Sequence, residues 1–134
     1  MDKQQISSIE KEAKEIKGNI NKYKKTEKFK DETGNKYVYK HNNELKFVSV
    51  YFEDTDANKT VEWYFTNGQL LYSHKVWTDK KTNKVVTNEK CFLHGGHLVG
   101  WTKDDNPVEV TSEEFERISQ ELIAYGTKLI EESK

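Results

Sequence analysis

Three times in this chain a short apolar run stops at a two-residue turn, passes one polar residue and restarts on leucine. The copies are His41-Asn42-Asn43-Glu44-Leu45, Thr66-Asn67-Gly68-Gln69-Leu70 and His94-Gly95-Gly96-His97-Leu98. Aromatic or apolar residues precede each one: Tyr37 and Tyr39, Trp63 to Phe65, and Phe92 with Leu93. Asn-Gly and Gly-Gly readily adopt positive φ at both central positions, which a type I′ hairpin turn requires. The repeat therefore predicts three β-hairpins in succession. It constrains the architecture and leaves the activity open.

From Lys28 to Thr102 the apolar period is two. The strands predicted are Lys36–Lys40, Leu45–Glu53, Val61–Thr66, Gln69–Thr78, Lys84–Leu93 and His97–Thr102. Polar loops 54–58 and 79–83 join one hairpin to the next, and Thr33-Gly34-Asn35 is a turn signal that allows one more strand near Phe29. Short consecutive connections make an antiparallel meander. Before it, Ile6, Ile9, Ala13, Ile16, Ile20 and Tyr23 step by three and four, the stripe of an amphipathic helix that Gly18 weakens without ending. After it, Thr111-Ser112-Glu113-Glu114 reads as a capping box opening a helix striped by Phe115, Ile118, Leu122, Tyr125 and Leu129 and widened by Ile123 and Ile130.

The fold predicted is thus α+β and a single domain over 1–134: a helix within 1–25, a sheet of about six antiparallel strands within 28–102, and a helix within 111–132. At 134 residues one domain buries roughly two-thirds of its unfolded surface. Two striped helices need an apolar partner, and the sheet is the one available. Both are expected on the same face.

Hairpin register then assigns the faces. A two-residue loop at Asn67-Gly68 sets Phe65 against Leu70, Tyr64 against Leu71 and Trp63 against Tyr72. Phe65, Leu70, Trp63, Leu93 and Leu98 should lie under the helices. The outer face would carry Tyr64, Leu71, Phe92, Val99 and Trp101 as an apolar band, which is either a candidate interaction surface or structural packing under a helix that covers this face instead.

Composition narrows the chemistry. The chain is 34% charged and carries a net charge of −1. Its mean hydropathy is −0.98. Residues 1–46 hold 12 lysines against 8 acids, so the basic charge gathers near the N-terminus. That is less than the basic footprint of a nucleic-acid reader, and no nucleic-acid partner is expected. No run approaches the roughly 18 apolar residues of a transmembrane helix. The start, Met-Asp-Lys-Gln-Gln, has no apolar stretch of the signal-peptide kind, as would also hold for an exported domain behind a new methionine. Cys91 is the only cysteine, so no internal disulfide forms.

His94 and His97 are the best candidates for metal chemistry. Directly opposed strand residues hold their Cβ atoms about 4.5–5.5 Å apart, close enough for two imidazoles to share a metal. A third ligand is missing, because Cys91 should face the other way. No Gly-x-Ser-x-Gly, phosphate loop, His-Glu-x-x-His or paired-cysteine motif occurs, so no enzyme and no cofactor is expected.

The Asn-Gly-x-Leu hairpins, with Trp63 through Asn67-Gly68, Cys91 to Trp101 and the acidic C-terminal helix, resemble MORN-type repeats and their relatives among bacterial antitoxin and immunity proteins. They are more similar still to small uncharacterised exported or lipoprotein-borne bacterial α+β proteins. The resemblance spans residues 60–130. The third copy departs from it, with His94-Gly95-Gly96-His97 in place of Asn-Gly. No site residue can be carried over. The resemblance implies a periplasmic or extracellular location, with a cytoplasmic one as the alternative, and a non-catalytic role. The function expected is a binding or inhibitor-like module for a protein or small ligand, compatible with a homodimer. The alternative is a small-ligand or metal carrier built on His94 and His97.

Overall fold

A computed structural model describes residues 2–134. The first helix, α1 (Lys3–Gly18), is capped by Asp2, whose carboxylate accepts from the backbone N–H groups of Gln4 and Gln5. It ends at Gly18. There the Asn19 side chain turns back to donate to the Glu15 carbonyl at 2.8 Å. The helix stops short of the expected stretch to Tyr23: Asn19 is its C-cap, and its backbone N–H also donates to the Glu15 carbonyl, at 3.2 Å. A 3₁₀ turn over Ile20–Lys22 follows, and Ile20 and Tyr23 still pack with the α1 stripe.

Eight strands follow: β1 (Lys24–Lys30), β2 (Gly34–His41), β3 (Glu44–Glu53), β4 (Ala57–Thr66), β5 (Gln69–Asp79), β6 (Val85–His94), β7 (His97–Lys103) and β8 (Asn106–Pro107). They form one antiparallel sheet in strict chain order, β1 at one edge and β8 at the other. The meander is as expected, with eight strands in place of about six. One addition is β1, where the turn signal at Thr33-Gly34 already allowed a strand. The other is β8, closed by a further type I′ turn at Asp104 (φ 52°) and Asp105 (φ 67°). Aspartate tolerates left-handed backbone, so a turn without Asn or Gly escapes a search for those residues.

The three repeated turns have the expected geometry. Their central φ angles are 52° and 66° at Asn42-Asn43, 51° and 73° at Asn67-Gly68, and 59° and 81° at Gly95-Gly96. Each copy also contains a β-bulge. After the leucine one residue is left over: Lys46, Leu71 and Val99. Tyr64 therefore opposes Tyr72 and not Leu71, Trp63 opposes Ser73, and Cys91 opposes Trp101. A bulge sets two consecutive residues against one partner, so Leu71 and Tyr72 both reach the same core.

The opposite turns repeat a different device. Asp31, Asp54 and Asp79 each open a loop and accept backbone N–H groups two and three residues on. These bonds favour the ionised carboxylate. At Asp54 the Lys59 ammonium, 2.7 Å away, acts most strongly and with the Asp56 and Ala57 amides draws the pKa down to about 2. Thr33 lowers that of Asp31, and the Thr82 and Lys81 amides lower that of Asp79. A carboxyl depressed on folding stabilises the fold above its unfolded pKa, and that contribution is lost as pH falls through the folded value. The melting temperature should therefore fall between about pH 4 and about pH 2. Asp54→Asn keeps a turn acceptor and removes one titrating group, so its melting temperature should vary less across that window.

The helices take opposite faces, against the expectation of one shared face. The second helix, α2 (Ser112–Glu132), has the expected capping box, with Thr111 Oγ1 accepting from Glu114 N–H at 3.1 Å. It packs Phe115, Ile118 and Leu122 over a core that includes Val48, Phe65, Leu70, Leu93 and Leu98. It can approach closely because two of its inward positions are small, Ser119 and Gly126. A Cβ on Gly126 would lie 3.0 Å from that of Leu70. The first helix packs Ile9, Ala13 and Ile16 on the other face, over Phe47, Tyr64, Leu71, Tyr72 and Phe92. The molecule is a three-layer α/β/α sandwich. A sheet apolar on both sides needs two covers, and two helices supply them.

Candidate functional site

The outer face is the one α1 covers. Tyr64, Leu71 and Phe92 are buried in its core and Val99 packs half-buried against them. Trp101 lies on the α2 face, carried there by the bulge at Val99. The five residues are therefore no exposed band. The apolar period marked a second core, and alternation alone does not say which helix covers which face.

The helices cover the half of the sheet near the three repeated turns. Past α1 the same face continues as a polar row, in which Ser49, Glu62, His74, Lys90 and Thr102 stand side by side on successive strands. Glu62, His74 and Lys90 of this row and the flank of α1 enclose a cleft of about 230 Å³. Tyr64 and Tyr72 line it, with Glu10, Lys14 and Lys17 contributed by the helix.

Glu62 is its hub. One oxygen accepts from Lys17 Nζ at 2.8 Å, and the other accepts from the Tyr64 hydroxyl at 3.0 Å. His74 Nδ1 stands 4.0 Å from that second oxygen. Its Nε2 lies 2.6 Å from Asn88 Oδ1, which leaves Nδ1 on the side of Glu62. Burial, with the neighbouring carboxylate adding to it, pushes the Tyr64 pKa well above its ordinary value. Tyr72 is raised in the same way, by burial first and then by Glu10 and Glu62. Both phenols stay neutral and wall the cleft, Tyr64 donating to Glu62. Among the described residues Lys90 reaches only the exposed Asp105, at 3.8 Å.

A second cleft, about 270 Å³, opens on the α2 face beside Trp63, Trp101 and Tyr125. Tyr125 packs over Trp63 with ring centroids 5.2 Å apart. Cys91 lies at its floor, where burial pushes the thiol up to about 12. That suits an inert side chain rather than a nucleophile.

His94 and His97 do face one another across the β6–β7 hairpin, and both are exposed. Among the described residues no set of three histidine, cysteine or carboxylate side chains is grouped to hold a metal. Compared with protein-family models, curated proteins and solved structures, the chain finds no match. No helix among the described residues is long and apolar enough to cross a membrane.

Reading the sequence missed the Glu62–His74 cleft. No sequence signal gives it: the turn alone would set Glu62 against Ser73, and only the bulge at Leu71 sets Glu62 against His74, after which the β5–β6 register adds Lys90.

Proposed function

We propose that the chain is a non-catalytic binding module that takes a small organic anion in the cleft beside α1. The carrying observation is that three lysines, Lys14, Lys17 and Lys90, line the cleft against two carboxylates, Glu10 and Glu62. Lys17 and Tyr64 already satisfy Glu62. Lys14 makes no ion pair among the described residues, and Lys90 has only its long contact to Asp105. The volume is below the roughly 300–1,000 Å³ of pockets for drug-sized ligands. It suits a molecule of amino-acid size whose carboxylate meets Lys14 and Lys90 and whose body lies along Tyr72.

Amide NMR titrations with succinate, glutamate and phenylacetate test this. At least one should give saturable shifts centred on Glu62, His74 and Lys90. Lys90→Met should weaken that binding about tenfold or more, as loss of a charged hydrogen bond does. Shifts scattered elsewhere, or unchanged in Lys90→Met, would remove the reading.

The opposed, exposed pair of His94 and His97 supports a second reading, a metal carrier. Calorimetry with Zn²⁺ or Cu²⁺ separates the two, since His97→Ala should abolish metal binding and leave the anion titration unchanged.

A further inference from the structure

The two edges of the sheet are finished differently. At the β7 edge the chain closes itself. Ser119 Oγ accepts the Leu98 N–H at 2.8 Å, and Val108 N–H donates to the Trp101 carbonyl at 3.0 Å. The two residues of β8, one of them Pro107, pair with Thr102 and Lys103. At the other edge β1 pairs with β2 alone, and all seven of its residues are exposed. Its outward backbone groups meet no element of the chain among the described residues.

The sequence of that open edge is Lys-Lys-Thr-Glu-Lys-Phe-Lys. None of its four lysines makes an ion pair among the described residues. Lys25 instead lies over the Tyr37 ring, 4.1 Å from its centroid. Register places Lys24, Thr26 and Phe29 on the α2 face, and Lys25, Glu27 and Lys30 on the other. Lysine therefore flanks the strand on both faces. Phe29, 44% exposed, offers an apolar contact near its end.

From these observations we propose that β1 is a docking edge for an extended acidic segment of a partner protein, which adds to the sheet as a ninth strand. Backbone hydrogen bonds supply the attachment, and alternate acidic side chains meet Lys25 and Lys30 on one face while the apolar residues between them lie on the side of Phe29. A second copy of this chain does not fit the edge. An antiparallel β1–β1 pair would set lysine against lysine, which is destabilising, and edge lysines act against self-pairing of this kind. The copy's other edge is closed. This inference stands apart from the α1 cleft and does not depend on it.

The probe is a capped octapeptide alternating glutamate and valine, titrated into the full-length chain and followed by amide NMR. Saturable shifts are expected over Lys24–Lys30, with slowed hydrogen exchange at β1 amides that face outward. Lys28→Glu/Lys30→Glu, both at exposed positions, should weaken binding about tenfold or more, with an unchanged melting temperature. An octapeptide of the same sequence with alternate amides N-methylated keeps the charge, loses the ladder and should not bind. Equal binding of the N-methylated peptide would overturn the proposal, because charge alone would explain the attraction. So would an absence of shifts at β1, or a preference for an oligothymidylate that displaces the peptide from the same strand.

Discussion

Phe92→Ala should lower the free energy of unfolding by about 3–5 kcal/mol and leave the association state unchanged. Phe92 is 1% exposed and packs with Tyr64 and Tyr72 beneath α1. Its ring centroid lies 5.2 Å from that of Tyr72. Truncation would open a cavity between a helix and a sheet that both have other attachments, so neither collapses freely into it. For a domain of this size the melting temperature should fall by roughly 10–15 °C. Thermal melts by circular dichroism and a size-exclusion run on the same sample read both quantities. A near-normal melt with a changed elution volume would mean that Phe92 serves an interface and that α1 does not cover it.

Leu70→Ala and Leu71→Ala should each cost about 2–5 kcal/mol, while Gln69→Ala stays within about 0.5 kcal/mol. In an ordinary strand with one wet face, two consecutive leucines cannot both be core. Here Leu70 lies under α2 beside Gly126, and Leu71 lies under α1. Both are nearly fully buried, and Gln69 is exposed. Urea unfolding of the three variants decides the layering. A neutral Leu71→Ala would return the molecule to two layers and leave the α1 face bare.

These variants probe the point at which sequence reading ran out. Period-two alternation reports that a side of a strand is apolar, and it says nothing about which helix covers that side. Tyr64, Leu71, Phe92 and Val99 make a face that the alternation alone leaves either bare or covered by a helix. Their apolar character was itself the trace of a second core. The bulges were equally hidden. Nothing in the composition of Lys46, Leu71 or Val99 distinguishes a residue left out of the ladder from one within it. The consequence was a register correct next to each turn, as at Phe65 with Leu70, and shifted by one beyond it.

Local chemistry did determine much of this protein. The turns at Asn42-Asn43, Asn67-Gly68 and Gly95-Gly96 follow from the few residues that accept positive φ, and they dictate an antiparallel meander. The Thr111–Glu114 box starts α2, and the stripe of Phe115, Ile118 and Leu122 identifies the side that faces the sheet. Those are decisions taken within a few residues, where sequence and conformation are linked directly. Tertiary structure alone decided that the helices separate to opposite faces, that Trp101 leaves the Tyr64 side, and that Glu62, His74 and Lys90 meet beside α1. Each depends on contacts between elements far apart in the chain. They are set by how two apolar sheet faces are both removed from water, and no local preference encodes that.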